Sequence, residues 1–260
     1  MRNCKFDRKA FPPLRPTKPR RRHPDSLIDW TDEVFFIAIE PSTPEMPARP
    51  GWPKLSPSRF SGEYLRAIGS VYADEINEGP FLHIERAYMR PVAVTPQPET
   101  LYYQVAGRIR RYIPDFLIEE VDGRASRVEV KGVAAFLHQE WLPAKLAAIG
   151  RAYSQVGLLY RVIMATNLRK YPYLENADIL RAGRIASVPG IIRSNVSDLL
   201  SLRAKTLGEI LNHVPACSRE HLYALHLDRD LSIDLDCLIT DQSIVRVGST
   251  SGLPFWESHQ

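Results

Sequence analysis

The sequence predicts an α/β fold, a mixed sheet flanked by helices, followed by a smaller helical part that ends in a hairpin. Three observations carry this. Helix-spaced and strand-like segments follow the order α-β-β-β-α-β from about residue 56 to residue 165, the order of a mixed sheet with helices packed against it. The stretch RRYIPDFLIEEVDGRASRVEVKG, residues 110 to 132, reads as two strands joined by Asp-Gly turn chemistry. From about residue 172 the pattern changes to short helices and two short strands. The chain thus divides into a basic, Pro-rich arm with an irregular segment over 1–54, a central domain over 55–171 and a C-terminal domain over 172–260.

The arm comes first. Residues 1 to 23 hold nine Lys or Arg against one acid, so a chain of net charge +4 carries about −4 over the rest. PPLRPTKPRRRHP cannot form a helix, because proline removes donors and fixes φ. Arg20, Arg21 and Arg22 fit an electrostatic tether for phosphates, and equally a solubilising terminus. Residues 24 to 60 read as irregular apart from the apolar piece EVFFIAIE.

SPSRFSGEYLRAIGSVYADEI reads as the first helix, capped at Ser56 with Pro57 in the first turn. Its Phe60, Tyr64, Leu65, Ile68 and Val71 recur at helical spacing. FLHIERAYMRPVAV, TLYYQVAG, RRYIPDFLIEE and SRVEVKG then read as strands. A helix follows in QEWLPAKLAAIGRAYSQV, with Leu142, Leu146, Ile149, Tyr153 and Val156 on one face and Trp141 as its anchor. LLYRVIMA is a continuous apolar run, typical of a buried strand. Further on, helices broken at Pro215 and the two strands of DLDCLITDQSIVRVG make a helix, turn, helix, hairpin order, a winged-helix-like pattern.

The totals exclude several classes. With 44% hydrophobic and 25% charged residues the balance is globular. No run of 18 apolar residues exists and the N-terminus has no apolar secretory core, so a reducing cytoplasm is the simplest setting. Cys4, Cys217 and Cys237 fit neither a disulfide framework nor a zinc site. There is no Gly-rich phosphate loop and no paired-histidine motif.

The chemistry lies in residues 110 to 132. Glu129 and Lys131 share one face of their strand, and Val128 and Val130 take the other. A two-residue Asp122-Gly123 loop would set Asp115 opposite Val130, on the wrong face. A three-residue loop, Asp122-Gly123-Arg124, would set it opposite Lys131, so convergence needs an odd loop or a bulge. Carboxylates so apposed suit Mg²⁺ or Mn²⁺, and a lysine beside them can orient a water and offset charge on a phosphodiester. The bland reading is an exposed sheet face of acids paired with Lys. Arg110 and Arg111 stand beside the acids, either against DNA phosphate or as solvated strand-end charges.

PDF followed by EVK within this element order resembles the PD-(D/E)XK nuclease superfamily. The whole stretch is more narrowly similar to the TnsA-type endonuclease subunit of heteromeric bacterial transposases, over roughly residues 55 to 170. The resemblance implies Asp115 and Glu129 as metal ligands and Lys131 as the catalytic lysine. It also implies a ligand on the preceding helix, where Glu63 fits, ahead of Glu75, Glu78 and Glu85. The family often has Gln-Pro before the strand that precedes the catalytic Asp, and Arg90-Pro91 is read at that place. A winged-helix-like C-terminal part belongs to the family as well. The activity implied is Mg²⁺-dependent cutting of the 5′ ends of a transposon, in the bacterial cytoplasm and on double-stranded DNA. A DDE-type transposase subunit would cut the 3′ ends and an ATPase regulator subunit would join them. The rival readings are a restriction or junction-resolving nuclease of the same fold, and a non-catalytic DNA-binding assembly protein.

Overall fold

The computed structural model describes residues 23–42, 60–65, 69–74 and 77–248, with the backbone alone over 60–65 and 69–74. In chain order the first elements are β1 (Val34–Pro41), β2 (Phe60–Leu65), β3 (Gly69–Asp74) and α1 (Glu78–Ile84), which continues as a π-helical segment over Glu85–Met89. Then come β4 (Ala93–Pro96), β5 (Glu99–Val105), β6 (Arg108–Tyr112), β7 (Phe116–Glu119) and β8 (Ala125–Lys131). Helices α2 (Val133–His138) and α3 (Leu142–Ser154) lead to β9 (Leu159–Met164).

The central sheet is mixed, in the order β4-β7-β8-β9. Its first three strands are antiparallel, and β9 lies parallel to β8. That parallel pair requires a crossover, which α2 and α3 supply. Phe81, Leu82 and Ile84 of α1 pack with Phe116, Ile118, Val128 and Val130 on one face. On the other face, Leu142, Leu146, Ile149 and Tyr153 of α3 pack with Leu101 and Tyr103 of a second sheet, β1-β5-β6. The mixed sheet flanked by helices is as the element order predicted. EVFFIAIE, in the segment expected to be irregular, supplies β1, which pairs antiparallel with β5.

Two expectations are corrected. The helix expected over residues 56 to 76 is instead an antiparallel strand pair, with Phe60 opposite Asp74 and Leu65 opposite Gly69. Gly62 and Gly69 weaken a helix, and Tyr64, Val71 and Tyr72 favour an extended chain. Conversely FLHIERAYMRPVAV, expected as a strand, is helical from Glu78 to Met89, and only Ala93–Pro96 is extended. Phe81, Ile84 and Ala87 recur every three residues and are all buried, a helical stripe that the β-favouring side chains concealed.

The C-terminal part comprises α4 (Ala165–Leu168), α5 (Tyr173–Leu180), a 3-10 turn over Arg181–Arg184, α6 (Gly190–Leu202), β10 (Lys205–Thr206), α7 (Leu207–His213), α8 (Arg219–Leu227), β11 (Leu231–Ile233) and β12 (Ile244–Val247). The three short strands form a sheet in the order β10-β12-β11. Capping boxes start α7, at Thr206 with Glu209, and α8, at Ser218 with His221. This part shares its core with α1 and the central sheet. Arg90, at φ 51, aims its guanidinium at the carbonyl oxygens of His226 (3.0 Å) and Leu231 (3.1 Å), far along the chain from the acids. His226 is buried, and burial pulls its imidazole down to about 3, so it is neutral. Its Nε2–H donates to the Ala87 carbonyl at 2.8 Å and its Nδ1 accepts from the Ile233 amide at 3.1 Å.

The 3-10 turn meets α8 backbone to backbone at Gly183. A Cβ there would stand 2.5 Å from the Ala224 nitrogen and 2.6 Å from the Tyr223 carbonyl carbon, contacts that only a backbone shift relieves. Gly183→Ala is expected to cost about 1–3 kcal/mol, measured as a lower urea midpoint at unchanged slope. An unchanged midpoint would mean that the contact yields without cost.

Candidate functional site

The hairpin between β7 and β8 decides which side chains meet. Phe116 pairs with Val128 and Glu119 with Ala125. The Glu120 amide donates to the Arg124 carbonyl at 2.8 Å, and the Gly123 amide donates to the Glu120 carbonyl at 3.1 Å. The loop is therefore Val121-Asp122-Gly123, three residues with Gly123 at φ +82, the left-handed position such a loop needs. Its length is odd, as convergence requires, but it starts one residue earlier than the expected Asp122-Gly123-Arg124 loop. Asp122 takes the Arg124 amide at 3.0 Å and its guanidinium at 2.7 Å, which fixes the turn. Carried one step on, the register sets Asp115 opposite Glu129 rather than opposite Lys131.

Pro114 positions Asp115. A proline cannot donate to a ladder, and here the chain leaves the β1-β5-β6 sheet after Tyr112 and joins the central sheet at Phe116. Asp115 ties the β4–β5 link to β8 at that step. Its carbonyl accepts from the Gln97 amide and its Oδ2 from the Val130 amide, each at 2.9 Å.

Asp115 and Glu129 are 5% and 4% exposed. The Lys131 ammonium contacts Glu129 Oε1 and lies 3.8 Å from Asp115 Oδ2. Tyr112 donates its hydroxyl to Glu129 Oε2, and the hydroxyls of Tyr112 and Tyr160 are 2.9 Å apart. Burial pushes the Asp115 carboxyl up to about 8, reinforced by Glu129 and Glu78 and opposed by Lys131 and the Val130 amide. Burial alone would lower the Lys131 ammonium, but Asp115, Glu129 and Glu78 together hold it above its usual value. Burial and then Glu129 hold both tyrosine hydroxyls well above theirs.

Three acidic side chains act on one lysine here, and a bound cation would favour the ionised form of Asp115. Among the described residues no group of three or more His, Cys, Asp or Glu side chains is placed to hold a metal ion. What is present is a pair of carboxylates with the field of a third, and hard oxygens in that number fit Mg²⁺, which takes one or two carboxylates and keeps water for its other positions. Glu129 and Lys131 open onto a cleft of about 340 Å³, lined also by Arg111, Tyr112, Trp141 and Lys145. At its rim the His23 ring stacks on Trp141 at 5.0 Å, and Lys145 bonds Asp25 at 2.7 Å while lying 5.3 Å from the Trp141 ring centre.

The structure brings Asp115, Glu129 and Lys131 together. Arg111 is exposed and lines the cleft, whereas Arg110, its neighbour on β6, is half-buried. Arg20, Arg21 and Arg22 lie outside the described residues, as does the side chain of Glu63. Glu63 stands on β2 rather than on a helix. The acid that does stand at the start of a helix is Glu78, the first residue of α1. Tyr112 and Tyr160 were not singled out for the site, because a tyrosine in a strand normally reads as filling. Gln97-Pro98, not Arg90-Pro91, is the pair beside Asp115, directly ahead of β5.

No protein-family model matches the chain, and no curated protein matches it.

With its carboxyl at about 8 when folded against 3.8 ordinarily, Asp115 makes the folded chain hold a proton that the unfolded chain has released between those values. Stability without metal should therefore fall as pH rises through that window. Asp115→Asn should remove this fall. Urea midpoints at pH 5, 7 and 9 for both proteins measure it, and parallel curves would count against the assignment.

Proposed function

We propose that the chain is a Mg²⁺- or Mn²⁺-dependent DNA endonuclease with a PD-(D/E)XK-type core. The observation that supports this is the convergence of Asp115, Glu129 and Lys131 on one sheet face, with Glu129 and Lys131 opening onto a cleft. Asp115 and Glu129 offer oxygens to the cation, and Glu78 on α1 acts on the same site through its charge. A bound cation supplies polarisation of the phosphodiester and a water of lowered pKa. Lys131 orients that water and offsets charge developing on the phosphate. Arg111 places positive charge along the same cleft, where a DNA backbone is held.

We read the order α6, β10, α7, α8, β11, β12 as a winged-helix-like module. Its third helix, α8, is buried from Leu222 through Tyr223, Ala224 and Leu225 to His226. In this reading α8 joins the module to the nuclease core and is not inserted into a groove. The basic charge of residues 1–23 contrasts with the acidic remainder, so contact with phosphate falls mainly to the arm and the cleft.

Within a TnsA-type arrangement this subunit cuts the 5′ ends of a transposon, a DDE-type transposase cuts the 3′ ends, and an ATPase regulator joins them. One set of acids per chain is enough for one strand at each end. Asp115→Ala, mixed with those partners and DNA carrying an element end, should lose the 5′ cut and keep the 3′ cut when both strands are mapped. Persistence of both cuts would remove Asp115 from the chemistry. Efficient double-strand breaks by the wild-type chain alone would favour a restriction-type nuclease.

Glu78→Gln should lower metal-dependent nicking by about 10- to 100-fold at an unchanged melting temperature, with Glu63→Gln much milder. The reverse order in a side-by-side nicking assay would return the role to Glu63.

A further inference from the structure

Two strands hold the Glu129 carboxylate from its two sides. Lys131, on the same strand, contacts Oε1, and Tyr112, from β6 of the other sheet, donates to Oε2. A phenol has one proton to give. Since Tyr112 spends it on Glu129, Tyr112 is the acceptor in its 2.9 Å contact with Tyr160. The direction is therefore set as Tyr160 to Tyr112 to Glu129, and each bond in such a chain strengthens the next. The rings are set as firmly as the hydroxyls. Tyr112 and Tyr160 meet edge to face at 5.9 Å, and Tyr160 stacks on Tyr153, a buried residue of α3, at 5.5 Å. Tyr112 is paired with Leu101, also buried, across β5 and β6.

We infer that Tyr112, backed by Tyr160, is a positioning residue for Glu129: it holds one carboxylate oxygen so that the other is presented beside Lys131 and Asp115. This rests on the reading of Glu129 as a cation ligand. The terminal torsion of a glutamate is broad, so without a donor on Oε2 the carboxylate turns and meets the cation less often in the right orientation. Hydroxyls behind a ligand act in this way on affinity, at about 10- to 100-fold per partner. Phenylalanine at 112 keeps the ring, its contact with Tyr160 and the strand pairing, and removes the hydroxyl alone.

The test is Mn²⁺ binding to the full chain by calorimetry, together with the Mn²⁺ dependence of nicking, for wild type, Tyr112→Phe, Tyr160→Phe and Glu129→Ala. Tyr112→Phe should bind Mn²⁺ about 10- to 100-fold more weakly and need that much more Mn²⁺ for half-maximal nicking, while the rate at saturating Mn²⁺ stays within a few-fold of wild type. Tyr160→Phe should show the same split to a smaller degree, and carries the test if Tyr112→Phe does not fold. A role in packing alone would lower the melting temperature and leave the Mn²⁺ dependence where it was, and that result overturns the inference. Glu129→Ala separates the two layers. If it weakens Mn²⁺ binding while the tyrosine variants do not, the inference fails and the reading of Glu129 stands; if it binds Mn²⁺ like wild type, both fall.

Discussion

Two carboxylates facing each other across an antiparallel strand pair repel, and the structure around Asp115 and Glu129 is arranged to contain that repulsion. Unit charges about 5 Å apart repel by roughly 3 kcal/mol at an effective dielectric constant of about 20, a large part of the stability of an ordinary domain. The chain spreads the load over several groups. Lys131 sits against both acids, the Val130 amide donates to Asp115, Tyr112 donates to Glu129, and the Asp115 carboxyl is pushed up to about 8. None of these compensations would be needed if the two residues faced opposite sides. They face the same side because the β7–β8 loop has three residues, which puts the whole site under the control of one turn.

Much of this site was legible because a strand alternates strictly. Glu129 and Lys131 had to share a face, and only loop parity remained open for Asp115. The one-residue shift in the loop was not legible, since it depends on Glu120 and Arg124 closing the turn while Asp122 holds the Arg124 amide. Long-range pairing hid the rest. Phe60 to Asp74 carries apolar residues at helical spacing and also the glycines and aromatics of a hairpin, and the structure takes the second option. Phe81 to Met89 shows the opposite conflict, with side chains that favour strands on a spacing that favours a helix. The two departures together put Glu63 on a strand and leave Glu78 as the acid that opens a helix. Tyr112 and Tyr160 could not be found by pattern, because their meaning comes from two different sheets closing on one carboxylate.

The joint between the two halves depends on backbone groups more than on charge pairs. Arg90 reaches two carbonyls of the C-terminal part, Arg229 donates back to the Arg90 carbonyl, and the neutral His226 bridges the Ala87 carbonyl and the Ile233 amide. Such partners do not titrate. With the apolar core running continuously beneath them, the C-terminal part is held against α1, the helix that carries Glu78.

The stacking of His23 on Trp141, with Lys145 held to Asp25, fixes where the first described residue leaves the body: at the mouth of the cleft that holds Glu129 and Lys131. A label attached at position 23 would therefore report on whatever occupies that cleft, without touching either carboxylate.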